Sequence, residues 1–521
     1  MSPMTPPFVE PPFAEPPFVP AVRDVQVRSG EGWAPRGGTR VGVLGRDFAR
    51  LEGTARTLAR DLERVGHLPG PPPVVPLGSR AEARPGDVLL RLDGVAGAPS
   101  GEQEAYRLEF AEPVAVLAGH TERAVHQAGR TLLQALATTG RFGAYEVTDW
   151  PSYAVRGLMV DVGRKRFSVH WLERLVERLS ALKLNELHLH LSDSLAFRVE
   201  SETHPEIVAE EAYTRAELCG LAELAARHHI ALVPEFDTPG HLRSVLDRHP
   251  EHRLRLADGS VRGENLDYSL PAARALVHDL LHEYAELMPG ELFHLGGDEY
   301  FGYFWEPGHR VTPERAPQLV RFARERGGET LHDGFAAYVN ELAGVLREHG
   351  KRARVWNDEI LPTGGAVRLD GDVQLDTWIR WNHEQPSAAD CLRAGYDVVN
   401  GHGDHLYYVL GEDRPPRGKK SAPGLYEAWT PRTVMDAPGE DAELTPDERD
   451  DRPGRLLGSH LSIWCDTPDL ATEDEIADDT APWLRAFAER LWSAPGPEPD
   501  HAAFERRYAL LAPGGAANGR T

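Results

Sequence analysis

Cysteine is scarce in this sequence: Cys219, Cys391 and Cys465 are the only three, and they lie far apart. Scattered cysteines form no disulfide framework, and without a Cys-x-x-Cys pair they do not indicate a zinc site. We therefore expect buried or free thiols. Long apolar runs are also missing. No stretch of 18 apolar residues occurs, so we expect no membrane-spanning segment.

Basic residues are fewer than acidic ones in this sequence. The 57 lysines and arginines are outnumbered by 81 aspartates and glutamates, which gives a formal net charge of -24. Nucleic acids and anionic membranes are typically bound by a basic patch, so the composition predicts neither as a partner. It indicates no particular substrate and no oligomeric state.

The amino terminus lacks the features of a secretory signal. Residues 1–20 contain Pro-Pro-Phe three times, with neither a basic start nor an apolar core. A Pro-rich segment of this kind cannot pack a core, so we predict a disordered tail over residues 1–20. The expected location is cytoplasmic, with secretion as the alternative if a leader precedes these residues.

The 521 residues are enough for two or three domains. Residues 21–150 predict a small domain whose strands and helices interleave, which indicates an α/β or α+β fold. Its predicted strands are 41–44, 87–92 and 114–117, and its predicted helices are 49–65 and 121–138. We find no group of catalytic side chains in it. Residues 496–521 predict a disordered carboxy-terminal tail.

Residues 151–495 alternate between predicted strands and helices. The eight predicted strands are 158–162, 186–191, 230–236, 292–295, 354–356, 373–376, 397–400 and 456–464. Eight strands with helices between them predict a catalytic (β/α)8 TIM barrel in the α/β class. A doubly wound sheet is the alternative, but no glycine-rich phosphate loop follows any strand. Residues 402–455 form a long polar insertion, and such loops are often functional.

The stretch His294-Leu295-Gly296-Gly297-Asp298-Glu299 is the most informative in the chain. A short apolar run that ends in two glycines and two acids is typical of a buried strand that presents carboxylates at its end. Adjacent acids suit acid catalysis, because like charges at close range push one pKa up and leave the other group ionised. The plainer interpretation of any Asp-Glu pair is a solvated turn.

Polar and aromatic side chains also follow the other predicted strands. Catalytic residues of a barrel lie at the carboxyl ends of its strands. Those ends carry Asp161, Asp193, Asp237, His241, Asp298, Glu299, Trp356, Trp378, Tyr407, Tyr408, Trp464 and Asp466. Acids and tryptophans at one mouth are typical of a sugar pocket, since indole rings stack on the C–H faces of a pyranose. Taken singly, Trp356 and Trp464 are equally well explained as core, and Asp237 with His241 as a turn cap.

With these residues assembled, the chain resembles glycoside hydrolase family 20, the β-N-acetylhexosaminidases. The matching segments are RGLMVDVGRKRF (156–167), NELHLHLSD (185–193), VPEFDTPGH (233–241), HLGGDE (294–299) and Trp-Cys-Asp at 464–466. They run in the family's order over nearly the whole barrel. The small domain ahead of it also resembles the family's amino-terminal domain.

The resemblance implies a retaining exo-β-N-acetylhexosaminidase that needs no cofactor and no metal. Its substrate would be an oligosaccharide or glycoconjugate that ends in N-acetylhexosamine. In this family no enzyme carboxylate attacks the sugar. The substrate's own acetamido oxygen attacks the anomeric carbon with the high effective concentration of a tethered nucleophile, and an oxazolinium intermediate forms. The resemblance gives Glu299 the role of general acid and base, and Asp298 that of an ionised group that orients the acetamido N–H.

The resemblance assigns the remaining residues position by position. Arg156 would bind the 3- and 4-hydroxyls, and Asp466 a distal hydroxyl. Trp356, Trp378 and Trp464 would form the aromatic walls, and Tyr408 or its neighbour Tyr407 would donate to the acetamido oxygen. The group expected to support the catalytic pair consists of Asp193, Asp237, His241 and His294.

Some departures from the family pattern leave alternatives open. The family's Tyr-x-Asp after the seventh strand is here Tyr408-Val409-Leu410, without the acid that would hold a sugar hydroxyl. Release of a disaccharide, as by lacto-N-biosidases of the family, is therefore one alternative. A non-catalytic sugar-binding barrel is another. A third is a metal hydrolase, because His188-Leu189-His190 at a barrel strand end also begins some metal sites.

Overall fold

The computed structural model describes residues 17–511 except 29–31, 100, 112–113, 141–143, 303–309, 362, 364, 382, 384, 413, 415, 446–453 and 494–495. The chain divides into two compact units. One comprises residues 1–152 together with 492–521, and the other comprises residues 153–491. Residues 1–16 of the predicted tail 1–20, and residues 512–521 of the predicted tail 496–521, lie outside the described residues.

The first unit is built on a mixed seven-stranded sheet. Its strands are β1 (Asp24–Val27), β2 (Val41–Leu44), β3 (Val74–Leu77), β4 (Val88–Leu92), β5 (Tyr106–Ala111), β6 (Val114–Gly119) and β7 (Tyr145–Asp149), in the order β1-β7-β5-β6-β4-β2-β3. Strands β3, β2, β4 and β6 are parallel, and the others pair antiparallel. Helices Phe48–Val65 and Glu122–Thr139 contribute apolar faces to its core. The α/β class of this unit is confirmed.

The described parts of both predicted tails, residues 17–20 and 501–510, are more ordered than the sequence suggests. Phe18 and Val19 are buried at 3% and 1% exposure, and Val19 exchanges backbone hydrogen bonds with the Gln134 amide. Residues His501–Leu510 form a helix that buries Phe504. The predictions of disorder were wrong for residues 17–20 and for this helix. The reason is that single apolar side chains in polar or Pro-rich segments are still buried: Phe18 joins the core of the first unit, and Phe504 is fully buried.

The second unit is a closed parallel barrel of eight strands, which confirms the predicted TIM architecture. The barrel strands are β8 (Val155–Asp161), β9 (Glu186–Ser192), β12 (Ala231–Phe236), β15 (Leu292–His294), β16 (Arg352–Trp356), β17 (Gln374–Thr377), β18 (Val398–Asn400) and β22 (Leu456–Trp464). Each pairs in parallel with the next, and β22 closes the ring on β8. All seven residues of β9 are buried, as expected for strands covered on both faces.

Helices cover the barrel between its strands. The longer ones are Val169–Ala181, Arg215–Arg227, Pro271–Leu287, Pro317–Glu325, Leu331–Glu348 and Glu473–Trp492, and the shorter ones are Arg243–Leu246, Ala388–Arg393, Gly403–Leu406 and Ala422–Ala428. Their starts follow local chemistry. Thr214 and Thr330 each form a capping box with an acid three residues later, which satisfies free N–H groups at the first turn. No helix in the described part of the chain is both long and apolar enough to cross a bilayer.

The second unit also contains smaller strands outside the ring of eight. They are β10 (Phe197–Val199), β11 (Val208–Tyr213), β13 (Arg253–Arg255), β14 (Val261–Leu266), β19 (Tyr407–Val409), β20 (Thr433–Ala437) and β21 (Glu440–Glu443). Strands β13 and β14 form one hairpin, and β20 and β21 form another within the predicted insertion. The insertion is therefore not a bare loop. Strand β19 pairs with β22, so that residues 407–409 lie beside the barrel's last strand.

Candidate active site

The catalytic pair is placed by a tight glycine turn after β15. Gly296 and Gly297 have φ of +68° and +96°, and a Cβ carbon on Gly296 would lie 1.8 Å from Oδ1 of Asp237. Only glycine fits there. The N–H of Gly296 donates to Nδ1 of His294 at 3.0 Å, and the N–H of Gly297 donates to Asp237 at 3.1 Å. The turn thus carries Asp298 past the strand end to the barrel mouth.

Glu299 has a backbone conformation that non-glycine residues rarely adopt, with φ of +55°. Its N–H donates to Oδ2 of Asp358 at 2.9 Å, which holds the peptide in place. Strained residues of this kind persist where the surroundings over-determine them, often at functional sites. The Glu299 side chain keeps 26% of its surface exposed and borders a cavity of about 420 Å³, also lined by His241 and Asn265. A carboxyl group at the edge of a cavity can exchange a proton with a ligand.

Asp298 is the more enclosed acid. It is 8% exposed, and its Oδ1 atom has no hydrogen-bond partner among the described residues. Burial raises the pKa of Asp298, His241 opposes that rise, and the charge of Glu299 adds to it. A buried carboxylate oxygen without a partner is costly to desolvate. This oxygen is therefore suited to accept a hydrogen bond from a ligand N–H.

His241 connects the pair to a chain of buried polar groups. Its Nε2 atom lies 3.6 Å from Asp298 and 3.4 Å from Glu299, and its Nδ1 atom lies 3.6 Å from Asp193. Burial lowers the pKa of His241, but the carboxyls of Asp298 and Asp237 raise it well above its usual range. The imidazole therefore carries a positive charge between the acids.

Asp193 and Glu235 continue this chain. The His190 ring contacts Asp193 at 2.9 Å and Glu235 at 2.6 Å, and Trp356 donates its indole N–H to Glu235 at 2.8 Å. Burial raises the pKa of Asp193, yet the hydrogen bonds from His190 and His241 hold it well below its usual range. Residues His190 and Glu235 were not among the predicted site residues.

The carboxyl group of Asp237 behaves differently. It is buried, and burial together with the neighbouring Asp298 charge raises its pKa well above the usual range. Oδ1 of Asp237 accepts the N–H of Gly297, so this carboxyl group also fixes the glycine turn. His294 is fully buried below it, with Nδ1 3.1 Å from Glu235 and Nε2 3.3 Å from Asp376. Asp237 and His294, two of the four predicted supporting residues, thus lie behind the catalytic pair.

Two further acids, Asp358 and Glu359, follow β16 at the barrel mouth and had no role in the predicted site. Burial raises the pKa of Asp358 to about 8, and the Asp298 charge adds to the effect. Glu359 is fully buried, its pKa is raised well above the usual range by burial and by Asp358, and it accepts the N–H of Phe301 at 2.8 Å. Both acids support the backbone of the catalytic turn. Their adjacency to Trp356 in the sequence was the available signal.

Four aromatic rings form a box beside the acids: Trp356, Trp378, Tyr407 and Trp464. Tyr407 stacks on Trp378 with centroids 5.8 Å apart and planes 2° apart, and it lies 5.7 Å from Trp464. Trp378 donates its indole N–H to Asp358 at 3.1 Å. Burial raises the pKa of Tyr407 well above its usual range, and the Asp298 charge adds to it, which places this phenol near the catalytic pair.

Of the two tyrosines predicted as alternatives for the acetamido group, Tyr408 does not face the box. Its hydroxyl donates to Asp479 at 2.9 Å and accepts from Arg414 at 3.1 Å. Adjacent residues of a strand point to opposite faces, and only one tyrosine of the pair can enter the site. The structure assigns that position to Tyr407.

Arg156, which the resemblance assigned to the 3- and 4-hydroxyls of the sugar, does not lie in the pocket. It is fully buried at the amino-terminal end of β8, and its guanidinium donates to the carbonyls of Lys183 at 2.9 Å and Tyr153 at 2.7 Å. The mouth of a barrel is at the other end of its strands. Arg156 therefore supports the fold there and does not line the pocket.

Arg164 lies at the barrel mouth, in the position that was predicted for Arg156. It follows β8, pairs with Asp161 and Asp193 at 2.9 Å each, and lies 5.4 Å from the Trp464 ring. Asp466 is exposed and interacts electrostatically with Arg164. Between Trp464 and Asp466, the backbone N–H of Cys465 donates to Asp161 at 3.0 Å, and the side chain of Cys465 is buried. Together Arg164 and Asp466 form a polar rim next to Trp464.

The His188-x-His190 pair does not form an open metal site at the mouth. Both ring nitrogens of His190 are engaged by carboxylates, and His188 is fully buried next to His294. His188, Glu235 and His294 bring three possible ligand atoms within 4.8 Å of one another, but all three side chains are fully buried, and a catalytic metal needs an open coordination position. The arrangement instead fits a hydrogen-bonded support for the acids.

Comparison with known families agrees with this geometry. Residues 153–495 match the family described as "Glycosyl hydrolase family 20, catalytic domain", and residues 15–150 match "Glycosyl hydrolase family 20, domain 2". A β-N-acetylhexosaminidase of Cellulomonas fimi is 28% identical over 489 residues, covering 88% of this chain and 86% of that protein. A lacto-N-biosidase of Bifidobacterium bifidum is 25% identical over 411 residues, covering 78% of this chain but only 34% of that protein.

Solved structures show the same fold. A chitobiase of Flavobacterium johnsoniae superimposes with a TM-score of 0.72 at 25% identity, covering 96% of this chain and 72% of that one. A β-hexosaminidase of Streptomyces plicatus, in complex with its product GlcNAc, gives 0.71 at 22% identity and covers 96% and 95% of the two chains.

Proposed function

The chain belongs to glycosyl hydrolase family 20, and from this premise we propose that it is a retaining exo-β-N-acetylhexosaminidase. As a member of that family it is a glycoside hydrolase. Its proposed substrates are oligosaccharides or glycoconjugates that end in β-linked GlcNAc or GalNAc. The proposed reaction is substrate-assisted and passes through an oxazolinium intermediate.

The observation that carries this proposal is the unpartnered Oδ1 atom of Asp298 beside an aromatic box and a solvent-edge acid. A box closed by Trp356, Trp378 and Tyr407 suits a small apolar group such as the acetamido methyl. The Asp298 oxygen would accept the acetamido N–H, and the Tyr407 hydroxyl would donate to the acetamido oxygen. Those two contacts would aim that oxygen at the anomeric carbon.

In the first step the acetamido oxygen forms a bond to the anomeric carbon while the bond from that carbon to the leaving oxygen breaks. Glu299 gives its proton to the leaving oxygen, and the ring nitrogen and carbon of the oxazolinium share the positive charge. Asp298 stabilises that charge through its hydrogen bond to the N–H. Because the nucleophile is tethered to the substrate, its attack costs little translational entropy.

In the second step Glu299, now a carboxylate, removes a proton from a water molecule in the cavity it borders. The water oxygen bonds to the anomeric carbon, and the bond to the acetamido oxygen breaks. Two inversions give overall retention, and Glu299 regains its proton for the next cycle. The His241 cation, 3.6 Å from Asp298 and 3.4 Å from Glu299, supports the charge of both acids during the cycle.

Sugar recognition is proposed for the polar rim. The Arg164 guanidinium, held by two carboxylates, would donate to hydroxyls on the far side of the ring, and Asp466 would accept from one of them. Trp464 would stack on the sugar face. Because Asp466 is exposed, the rim is open enough for release of a disaccharide to remain the second candidate. Product analysis on lacto-N-biose-terminated and GlcNAc-terminated substrates separates the two.

A series of aryl glycosides tests the mechanism directly. The leaving group stays the same, while the N-acetyl methyl carries zero to three fluorine atoms. Fluorine weakens the acetamido nucleophile, so kcat/KM should fall with each atom added, and the matched aryl β-glucoside should be inert. A thiazoline mimic of the intermediate should bind tightly. Equal rates across the fluorinated series would refute an acetamido nucleophile.

A further inference from the structure

Two His-Pro-Glu segments meet on the barrel surface, far in sequence from the catalytic turn. His204-Pro205-Glu206 opens the 3-10 turn Pro205–Ile207, and His249-Pro250-Glu251 opens the 3-10 turn Pro250–His252. In both segments the histidine is the N-cap residue, with nearly the same backbone conformation. The fold brings the two turns face to face.

The two histidines converge on one carboxylate oxygen. Nδ1 of His204 lies 2.9 Å from Oε1 of Glu206, and Nε2 of His249 lies 2.8 Å from the same atom. Two imidazole nitrogens and one carboxylate oxygen, within 4.8 Å of one another, are a common donor set for divalent transition metals. Both imidazoles are partly exposed, and the Glu206 side chain keeps 42% of its surface exposed, so that an ion can enter from solvent.

The far nitrogen of each histidine faces a second carboxylate. Nε2 of His204 lies 3.5 Å from Asp279, and Nδ1 of His249 lies 3.5 Å from Glu251. A histidine that binds metal through one nitrogen must carry its proton on the other, and it usually donates that proton to a carboxylate. Each ring therefore has a carboxylate close enough to become the outer partner of the metal-bound tautomer after a small shift.

We propose that His204, Glu206 and His249 form a binding site for a divalent transition metal of the Zn²⁺ class, with Asp279 and Glu251 as outer partners. Tetrahedral zinc with bonds of about 2.0–2.2 Å separates its ligand atoms by roughly 3.3–3.5 Å. The nitrogens therefore move about half an ångström away from Glu206 when the ion binds, and water fills the remaining position. The ion joins the two turns and fixes the start of the β13–β14 hairpin.

Zinc binding to the full-length protein tests this site by competition with a chromophoric chelator. We expect one tight equivalent per chain in the wild type, lost in H204Q, H249Q and E206Q. The outer-partner variants D279N and E251Q should keep the equivalent but weaken it about 10–100-fold. Because these residues are at the surface and outside the proposed catalytic machinery, each variant should keep its basal hydrolysis.

Two controls separate this site from other histidines. H170Q removes an exposed histidine elsewhere and should leave the tight equivalent unchanged, as should H402Q in the different His402–His405–Asp441 cluster. Cobalt(II) should give visible d–d absorption that disappears in H249Q. Retention of the tight equivalent in an H204Q/H249Q double variant, or no zinc binding at micromolar concentration, would overturn the proposal. The cluster would then be a hydrogen-bonded pair of turns only.

Discussion

Gly296 packs directly against Asp237: a Cβ carbon on the glycine would lie 1.8 Å from the carboxylate oxygen. We expect Gly296→Ala to lower the free energy of unfolding by roughly 2 kcal/mol or more, since it adds a clash to a positive φ. It should also displace the catalytic acids and reduce kcat. Gly220→Ala is the control, because that exposed helical position has open space around it and alanine favours helix. Chemical denaturation and initial rates check both variants.

Neutralising Glu299 and neutralising Asp298 should each reduce the rate of hydrolysis, but with a different dependence on the leaving group. Glu299→Gln cannot donate a proton, so we expect kcat to fall about 10²–10⁴-fold on unactivated glycosides and less on aryl glycosides with good leaving groups. Asp298→Asn loses the charge that stabilises the intermediate and should cost about 3–4 kcal/mol for every leaving group. A Brønsted plot of rate against leaving-group pKa measures the contrast. Parallel losses in both variants would contradict the division of roles.

His241 should set the acid limb of the pH profile. Its charge opposes the rise in the pKa of Asp298 that burial causes. His241→Gln removes that charge, so the pKa of Asp298 rises further, and its ionised form is lost at a higher pH as the solution is acidified. We expect the acid limb of kcat/KM to move up by about one pH unit. His170→Gln, at an exposed position, should leave it unchanged. An unshifted limb would argue against the coupling.

The two arginines near the first strand should separate binding from stability. Arg164→Met removes the rim guanidinium and should lower kcat/KM about 10–100-fold, mainly through KM, the scale of a charged hydrogen bond. Arg156→Met leaves buried carbonyls without donors and should lower the free energy of unfolding by roughly 2–3 kcal/mol with KM unchanged. Steady-state kinetics and urea unfolding of both variants decide the matter. The reverse pattern would restore Arg156 to the pocket.

Tyr407 and Tyr408 are adjacent, so removing the hydroxyl of each in turn gives a matched pair of variants. Tyr407→Phe should reduce kcat about tenfold or more on N-acetyl substrates, because the acetamido oxygen loses its donor. Tyr408→Phe loses contacts with Asp479 and Arg414 and should cost only about 1 kcal/mol of stability. Kinetics with a thiazoline inhibitor gives a second readout, since its affinity should follow Tyr407 alone.

Much of the architecture could be predicted because strand spacing and strand-end chemistry are local signals. The run from His294 to Glu299 marks its own strand, turn and acids, and the eight barrel strands all occur where apolar runs predict them. Strand direction could also have corrected one error. Arg156 lies at the amino-terminal end of β8 and Arg164 follows its carboxyl end, so only Arg164 can reach the mouth.

Other features depend on the folded surroundings and left no local trace. Tyr407 and Tyr408 differ only in which face β19 presents, and the pairing of β19 with β22 decides that. The raised pKa values of Asp237 and Asp358 come from burial beside Asp298, which no motif records. Phe18 is a different case. The composition of its Pro-rich segment predicted disorder, yet its ring is buried in the folded structure.

Cys465 has a practical consequence for anyone handling the protein. It lies between Trp464 of the aromatic box and Asp466 of the rim. Burial raises the pKa of its thiol well above the usual range, and burial raises the pKa of Cys391 to about 12. Thiolates, not thiols, react with alkylating reagents. Cys219, partly exposed on an outer helix, is left as the one accessible attachment point. A maleimide dye should therefore label the unaltered sequence at a single position, away from the pocket, and give a ready probe for fluorescence work or oriented immobilisation.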